Sequence, residues 1–230
     1  MTGFILIDKP LNWTSFDVVA RLRRITQIKK IGHAGTLDPF ATGLLVVAIG
    51  REATRRIDEF RDMPKTYETT IHLGATSDTG DNTGVITEKP ILETEIPDIE
   101  TITKVLHKFV GKQLQTPPMH SAKKVNGQRL YDLARRGIEI ERQPNEIEIY
   151  EIKLNEYSWP NLKVTVRCSV GTYIRTLAED IGKELGVGAY CDALRRTAIG
   201  HFEITQAMPV DKLNEANIIN FILKTESELI

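Results

Sequence analysis

Residues Gly32 to Gly50, GHAGTLDPFATGLLVVAIG, decide the fold. Their second part, Leu44 to Ile49, is an unbroken apolar run. A strand with one solvated face alternates in polarity, so an unbroken run reads as a central strand covered on both faces. The first part is punctuated by Gly32, Gly35, Pro39 and Gly43. Glycine permits positive φ and proline fixes φ near about −65°. His33 and Asp38 therefore sit on an irregular loop delivered to the end of a rigid strand, where catalytic side chains tend to be found. Read alone, Asp38-Pro39 also fits a turn in which Asp38 caps a backbone N–H and His33 is merely solvated.

Outward from this stretch the chain alternates strands and helices. Phe4 to Ile7 reads as a short strand and Asp8 to Trp13 as the turn leaving it. Thr14 or Ser15 caps a helix in which Val18, Val19, Leu22 and Ile25 recur at helical spacing. A helix is expected from Glu52 to Phe60 and an alternating strand from Lys65 to Leu73, followed by the polar loop Gly74 to Gly84. Asp98 to Val110 places Ile99, Ile102, Val105, Leu106 and Phe109 on one helical face. Ile147 to Leu154 and Leu162 to Cys168 read as paired strands, Gly171 to Leu185 as a helix, and Leu194 as an apolar position of an amphipathic helix. No repeat or Gly/Ser linker divides the chain. The expectation is one α+β domain around a mixed, largely antiparallel sheet flanked by helices and loops.

The 230 residues, 41% hydrophobic and 27% charged, describe an ordinary globular protein with a sizeable core. No basic segment precedes the first apolar residues, and no stretch approaches the roughly 18 apolar residues of a membrane span, so a cytoplasmic location is expected. Cys168 and Cys191 lack CxxC spacing and read as small core residues. The net charge of −1 hides a polarised distribution. Met1 to Arg56 and Lys112 to Arg136 are both strongly basic, whereas the acids gather in Glu93 to Glu100 and Glu139 to Glu156. Such basic faces suit a polyanion held on one side.

The order Gly32-His33-Ala34-Gly35-Thr36-Leu37-Asp38-Pro39, then Ala41-Thr42-Gly43-Leu44-Leu45, closely resembles the active-site motif of the pseudouridine synthases that modify uridine 55 of tRNA. Further segments resemble that family in the same order. Ile7-Asp8-Lys9-Pro10-Leu11-Asn12-Trp13-Thr14-Ser15 is similar to its opening motif, with Asn12 where glycine is usual; asparagine is the next best residue for a left-handed turn. Lys65-Thr66-Tyr67-Glu68 resembles the segment that supplies an active-site tyrosine. Pro117 to Gly127 with Leu130-Tyr131 and Ala134-Arg135 resembles an RNA-gripping loop, about 112–137. Gly171-Thr172-Tyr173-Ile174-Arg175-Thr176-Leu177 and Leu194-Arg195-Arg196-Thr197 resemble its last motifs.

The resemblance implies a catalytic domain over 1–205 and a short helical extension over 206–230, without the separate C-terminal RNA-binding domain of many relatives. It implies isomerisation of uridine to pseudouridine in the T-stem-loop of tRNA: the N1–C1′ bond breaks, the base turns, and C5–C1′ forms. No cofactor, metal, membrane or obligatory protein partner is needed for that. Asp38, Tyr67 and Arg175 would be catalytic. Asp38 serves the anomeric carbon as a glycosidase carboxylate does, by adding to C1′, adding to C6, or stabilising a glycal. Arg175 would keep it ionised, since a nearby cation lowers an aspartate pKa by about 1–3 units. Tyr67 would stack on the uracil, and Leu194 would pack against base or sugar. Extruding the base costs a few kcal/mol, and His33 would fill the vacated stack. Lys9 and Pro10 of the opening motif, with Lys123, Lys124, Arg195 and Arg196, would meet the RNA, the cations positioning its phosphates. The rival readings are the catalytic subunit of a guide-RNA pseudouridylation complex, a tRNA-folding RNA-binding protein without turnover, and a base-removing glycosidase.

Overall fold

The computed structural model describes residues 1–121, 123–125 and 127–223, with the backbone alone for Lys124 and Arg129. In chain order the elements begin β1 (Gly3–Lys9), α1 (Ser15–Thr26), β2 (Ile31–Ala34), β3 (Thr42–Ile49), α2 (Arg51–Arg55), α3 (Asp58–Arg61) and β4 (Lys65–Leu73). They continue β5 (Ala75–Ser77), β6 (Ile86–Glu88), α4 (Ile99–Lys108), β7 (Gly111–Gln115), β8 (Lys124–Val125), β9 (Gln128–Arg129) and α5 (Leu130–Ala134). The last are β10 (Asn145–Ser158), β11 (Asn161–Cys168), α6 (Ile174–Glu184), β12 (Ala189–Ile199), β13 (Phe202–Glu203) and β14 (Met208–Pro209). The α+β class and the mixed, largely antiparallel sheet are as the sequence predicts. Among the described residues no helix is long and apolar enough to cross a membrane.

The packing divides the described residues into two compact units, one formed by residues 1–67 with 195–223, the other by 68–194. β4 and β12 contribute to both. In the first unit the strand order is β14-β1-β3-β12, with β2 on β3 and β13 on β12. β1 runs antiparallel to β3 over its whole length, from Gly3 opposite Ile49 to Lys9 opposite Gly43. The other edge of β3 is shared: β2 takes Val46 to Ile49, and β12 pairs in parallel with Thr42 and Gly43. Alternate residues of β3 enter two different cores, which is why its sequence is apolar without a break. Leu45, Val47 and Ile49 pack with Val18, Val19, Leu22 and Ile25 of α1 and with Val210, Leu213, Ile218 and Ile222. Leu44, Val46 and Ala48 pack with Phe4, Leu6, Phe60, Ile199 and Phe202. The closing helices expected after Phe202 take the form of 3-10 turns at 210–212 and 218–221, whose apolar residues join the first core.

Helix α1 begins at Thr14 in a capping box: Thr14 Oγ1 accepts the Asp17 N–H at 3.0 Å and Asp17 Oδ2 accepts the Thr14 N–H at 2.8 Å. In the second unit the order is β12-β4-β11-β10-β7, with small hairpins β5-β6 and β8-β9. The helix expected from Glu52 to Phe60 is broken into α2 and α3. Leu194 lies on strand β12, not on a helix. AYCDALRRTAI has an ambiguous period, and pairing with partners far away in sequence settles it as a strand.

Candidate active site

Asp38 lies in the connection between β2 and β3, and that connection is fastened at every second or third residue. Ser15 Oγ takes the Leu37 N–H at 2.9 Å and donates back to the Leu37 carbonyl at 3.2 Å. The N–H of Asn12 donates to the Pro39 carbonyl at 2.8 Å, and Asn12 adopts φ 63°, the left-handed turn expected of it. Leu37, Phe40 and Ala41 are buried while Asp38 is half-buried between them. The opening motif and the Asp38 loop are thus one hydrogen-bonded structure.

A buried cation completes it. Between the β2 and β12 ladders on the edge of β3 lie Leu44 and Leu45. There Arg196, only 1% exposed, donates from Nε to the Leu44 carbonyl at 2.7 Å and from Nη2 to the Gly35 carbonyl at 3.1 Å. The close approach requires Gly43, at φ 104°, because a Cβ there would come within 2.3 Å of the Arg196 carbonyl oxygen. Lys9 is 0% exposed and its ammonium donates to the carbonyls of Pro10 at 2.9 Å and Trp13 at 2.5 Å. Burial pulls Lys9 down to about 8; the Asp38 carboxylate resists, Arg196 adds to the fall, and Asp17 and Asp8 resist more weakly. Burial, and then Arg196, also lower the His33 imidazole below its ordinary value, against a backbone hydrogen bond with Gly35 that raises it. The net fall favours a neutral ring.

Lys9 and Arg196, expected on phosphates, are therefore enclosed by backbone carbonyls. Arg195 forms a two-pronged ion pair with Asp8, at 2.7 and 3.1 Å, and reaches Thr42 Oγ1 at 3.3 Å. It links β1 and β12 at the start of β3. Pro10 is half-buried, its carbonyl held by Lys9. Tyr67 is half-buried on β4, two residues after buried Lys65, whose ammonium donates to the Met63 carbonyl at 2.6 Å and fixes where that strand begins.

In the second unit Arg175 lies in the first turn of α6 and is 4% exposed. Its guanidinium donates to the carbonyls of Thr79 at 2.9 Å and His120 at 2.6 Å, and Nη1 lies 3.4 Å from Asp81 Oδ2. Asp81 is itself held: Oδ1 accepts the Thr79 hydroxyl at 2.8 Å, the Thr83 hydroxyl at 2.5 Å and the Thr83 N–H at 3.0 Å. Asp78 Oδ1 accepts the Val85 N–H at 2.7 Å, so both aspartates of GATSDTGDNTG serve the loop's own donors. Asp81 is the functional candidate that sequence reasoning missed; the signal was an aspartate followed two residues on by threonine in a polar loop. Lys123 donates to Asn145 Oδ1 at 2.7 Å, the Lys124 side chain lies outside the described residues, and Leu194 is buried on β12.

Comparison with known proteins gives this arrangement its context. Residues 23–174 match the model of the TruB family pseudouridylate synthase N-terminal domain, and 175–227 that of the tRNA pseudouridylate synthase B C-terminal domain. The tRNA pseudouridine synthase B of Syntrophomonas wolfei is 49% identical over 220 residues, 94% of this chain and 72% of that protein. That of Desulfotalea psychrophila is 47% identical over 232 residues, 98% and 93% of the two chains. Among solved structures, a chain in the crystal structure of a Cbf5-Nop10-Gar1 complex superposes with a TM-score of 0.70 at 31% identity, over 92% of this chain and 53% of that one. A chain from an H/ACA RNP bound to a substrate RNA containing 2′-deoxyuridine gives 0.67 at 28% identity, over 92% and 52%. With an aspartate loop anchored in the motif order of these enzymes and two family models spanning 23–227, the chain belongs to the TruB family of pseudouridylate synthases.

Proposed function

We propose that this protein isomerises uridine to pseudouridine at position 55 in the T-loop of tRNA, acting without a guide RNA. The observation that carries the reading is the anchoring of the Asp38 loop through Ser15, Asn12 and Arg196. A carboxylate that must meet one sugar carbon needs placing within about 0.5 Å, and a loop tied at Gly35, Leu37 and Pro39 supplies that. Asp38 acts on the sugar or base of the extruded uridine, Tyr67 stacks on the uracil, and Arg175 is the third catalytic residue. The neutral His33 ring suits insertion into a base stack. Lys9, Pro10 and Arg196 serve the RNA by shaping the loop that meets it.

In the net reaction N1–C1′ is broken and C5–C1′ made; the hydrogen of C5 is lost to solvent and N1 gains a proton. Relatives at 42–49% identity named tRNA pseudouridine synthase B favour the stand-alone reading over a subunit like Cbf5, where identity is 28–31%. The test is single-turnover tritium release from tRNA labelled at uracil C5, without other RNA or protein, with mass analysis for free base. Wild type should release tritium from one uridine per tRNA and no uracil, and Asp38→Asn should be slower by at least about 10³-fold while still binding. Free uracil in the wild-type reaction would indicate a glycosidase, and tight binding without release from either protein a folding helper.

A further inference from the structure

Strand β7 lies at the edge of the sheet in the second unit, and its side chains alternate. Lys112 and Leu114 are exposed, whereas Gln115, the last residue, is only 5% exposed. A primary amide enclosed in this way needs partners for both its donor and its acceptor. Gln115 finds both on one residue, 58 positions away in the chain. Its Oε1 accepts the Tyr173 N–H at 2.8 Å, and its Nε2 donates to the Tyr173 carbonyl at 3.0 Å. The double contact fixes which way round the amide stands, since exchanging its O and N would set donor against donor and acceptor against acceptor.

Tyr173 is the residue from which α6 starts. Its φ of −102° and ψ of 112° are extended, so its N–H and C=O point to one side, as in a strand. Its carbonyl also accepts the first helical bond, from the Leu177 N–H at 3.1 Å, and its own side chain makes no capping bond. In a capping box, a Glu or Gln three residues into the helix reaches back to the N–H of the starting residue. Thr176 holds that position here, and the strand glutamine makes the contact instead. Arg175 comes two residues after Tyr173, so the pair that fixes where α6 begins also fixes where the Arg175 main chain stands. At the other end of that side chain the guanidinium donates to the His120 carbonyl, in the same segment as Gln115. Between Gln115 and His120 lie Pro117 and Pro118, which hold φ near about −65°, and the Pro117 carbonyl is itself bound by Arg142 at 3.2 Å. Both ends of Arg175 are thus referred to one stiff stretch rooted in the sheet, where Gln115 pairs with Asn145 of β10.

We propose that Gln115 is a positioning residue for the isomerisation, acting through Tyr173 to set the place and direction of Arg175. The inference rests on the tRNA reading above, in which Arg175 is catalytic. Gln115 is too enclosed to meet RNA itself. A buried amide with an architectural duty alone would serve stability wherever it lay. This one holds the main chain two residues before a catalytic group, in the segment whose carbonyl receives that group's guanidinium. A misplacement of about 1 Å there is enough to slow a reaction by roughly 100-fold.

The experiment is a double-mutant cycle on wild type, Gln115→Met, Arg175→Lys and the double variant, measuring single-turnover tritium release, tRNA affinity and Tm. Methionine fills the space of glutamine without its amide. The rate constant at saturating enzyme should fall about 10- to 100-fold in Gln115→Met, while tRNA affinity stays within about twofold of wild type. In the Arg175→Lys background, where the planar fork is already gone, the same substitution should change the rate by less than about threefold. Its Tm loss should persist there in full, so a purely structural role, which would slow both backgrounds alike, is told apart. Should Gln115→Met fail to fold, Gln115→Glu carries the same cycle, because it keeps an acceptor for the Tyr173 N–H and gives up only the donor. A wild-type rate in the Gln115 variant, an equal rate loss in both backgrounds, or a loss confined to tRNA affinity would overturn the proposal and leave the isomerase reading standing. Absence of tritium release from wild type overturns the isomerase reading, and the proposal with it.

Discussion

The Asp38 loop and the Arg175 environment hold charged groups in opposite ways. In the first unit the ordering charges, Lys9 and Arg196, are cations bound to the main chain, and the candidate carboxylate rides on the backbone they order. In the second unit the candidate group is itself the one fastened, Arg175 being tied to two carbonyls and to Asp81. The first arrangement makes the shape of a loop depend on buried charge. The second makes the orientation of one side chain depend on a short chain of side-chain hydrogen bonds. Damage to the first should therefore appear in stability and turnover together, and damage to the second mainly in turnover.

Arg196→Met is the strongest way to break this contrast. It leaves the carbonyls of Leu44 and Gly35 without their donors, at about 1–3 kcal/mol each. Thermal denaturation should show Tm lower by roughly 4–24 °C for the two together, since about 1 kcal/mol moves a chain of this size by 2–4 °C. Arg196→Lys should recover less than half of it, because an ammonium lacks the planar fork that reaches both carbonyls. Asp81→Asn keeps an acceptor for Thr79 and Thr83 but removes the charge opposite Arg175. Single-turnover rates should fall about tenfold, with stability lowered by no more than about 2 kcal/mol. A Tm loss as large as that of Arg196→Met would erase the distinction between the two units.

A smaller effect sharpens the account of Lys9. Its folded value of about 8 lies below the ordinary 10.5, so between those values the unfolded chain binds more protons than the native one. Its contribution to stability therefore rises with pH through that window, by at most about 1.4 kcal/mol per pH unit. Denaturant titrations should show wild type gaining on Lys9→Met from pH 8 to 10.5, and a pH-independent difference would count against buried charge. The smallest effect belongs to the partly exposed pair Asp8–Arg195. Asp8→Asn should cost about 1 kcal/mol or less, and less again at high salt.

What could be read from the sequence follows from how locally each feature is determined. β3 was legible because six consecutive apolar residues admit only a doubly covered strand, and α1 because its cap and its apolar spacing lie within one segment. Thr14 proved to be the cap, and Ser15, equally eligible by residue type, serves Leu37 instead. Lys9 and Arg196 were misleading because a cation beside a turn or at a sheet edge is normally solvated. Only the folded chain reveals the carbonyls converging on them. Leu194 was assigned to a helix because the strands beside β12 lie far away in sequence. Asp81 was visible as a turn residue but not as a partner of Arg175, 94 positions later in the chain.

The bond from Arg196 to Gly35 joins residues 161 positions apart. At a synthesis rate of about 5–20 residues per second, the loop that carries Asp38 exists for roughly 8–30 s before the side chain that fastens it has been made. Residues 68–194 are synthesised in that interval, so the whole chain of the second unit is made before the aspartate loop can be fastened. Ribosome-bound chains stalled before and after residue 196 would differ at this loop, and a protease that cuts only unfastened backbone would report the moment of closure.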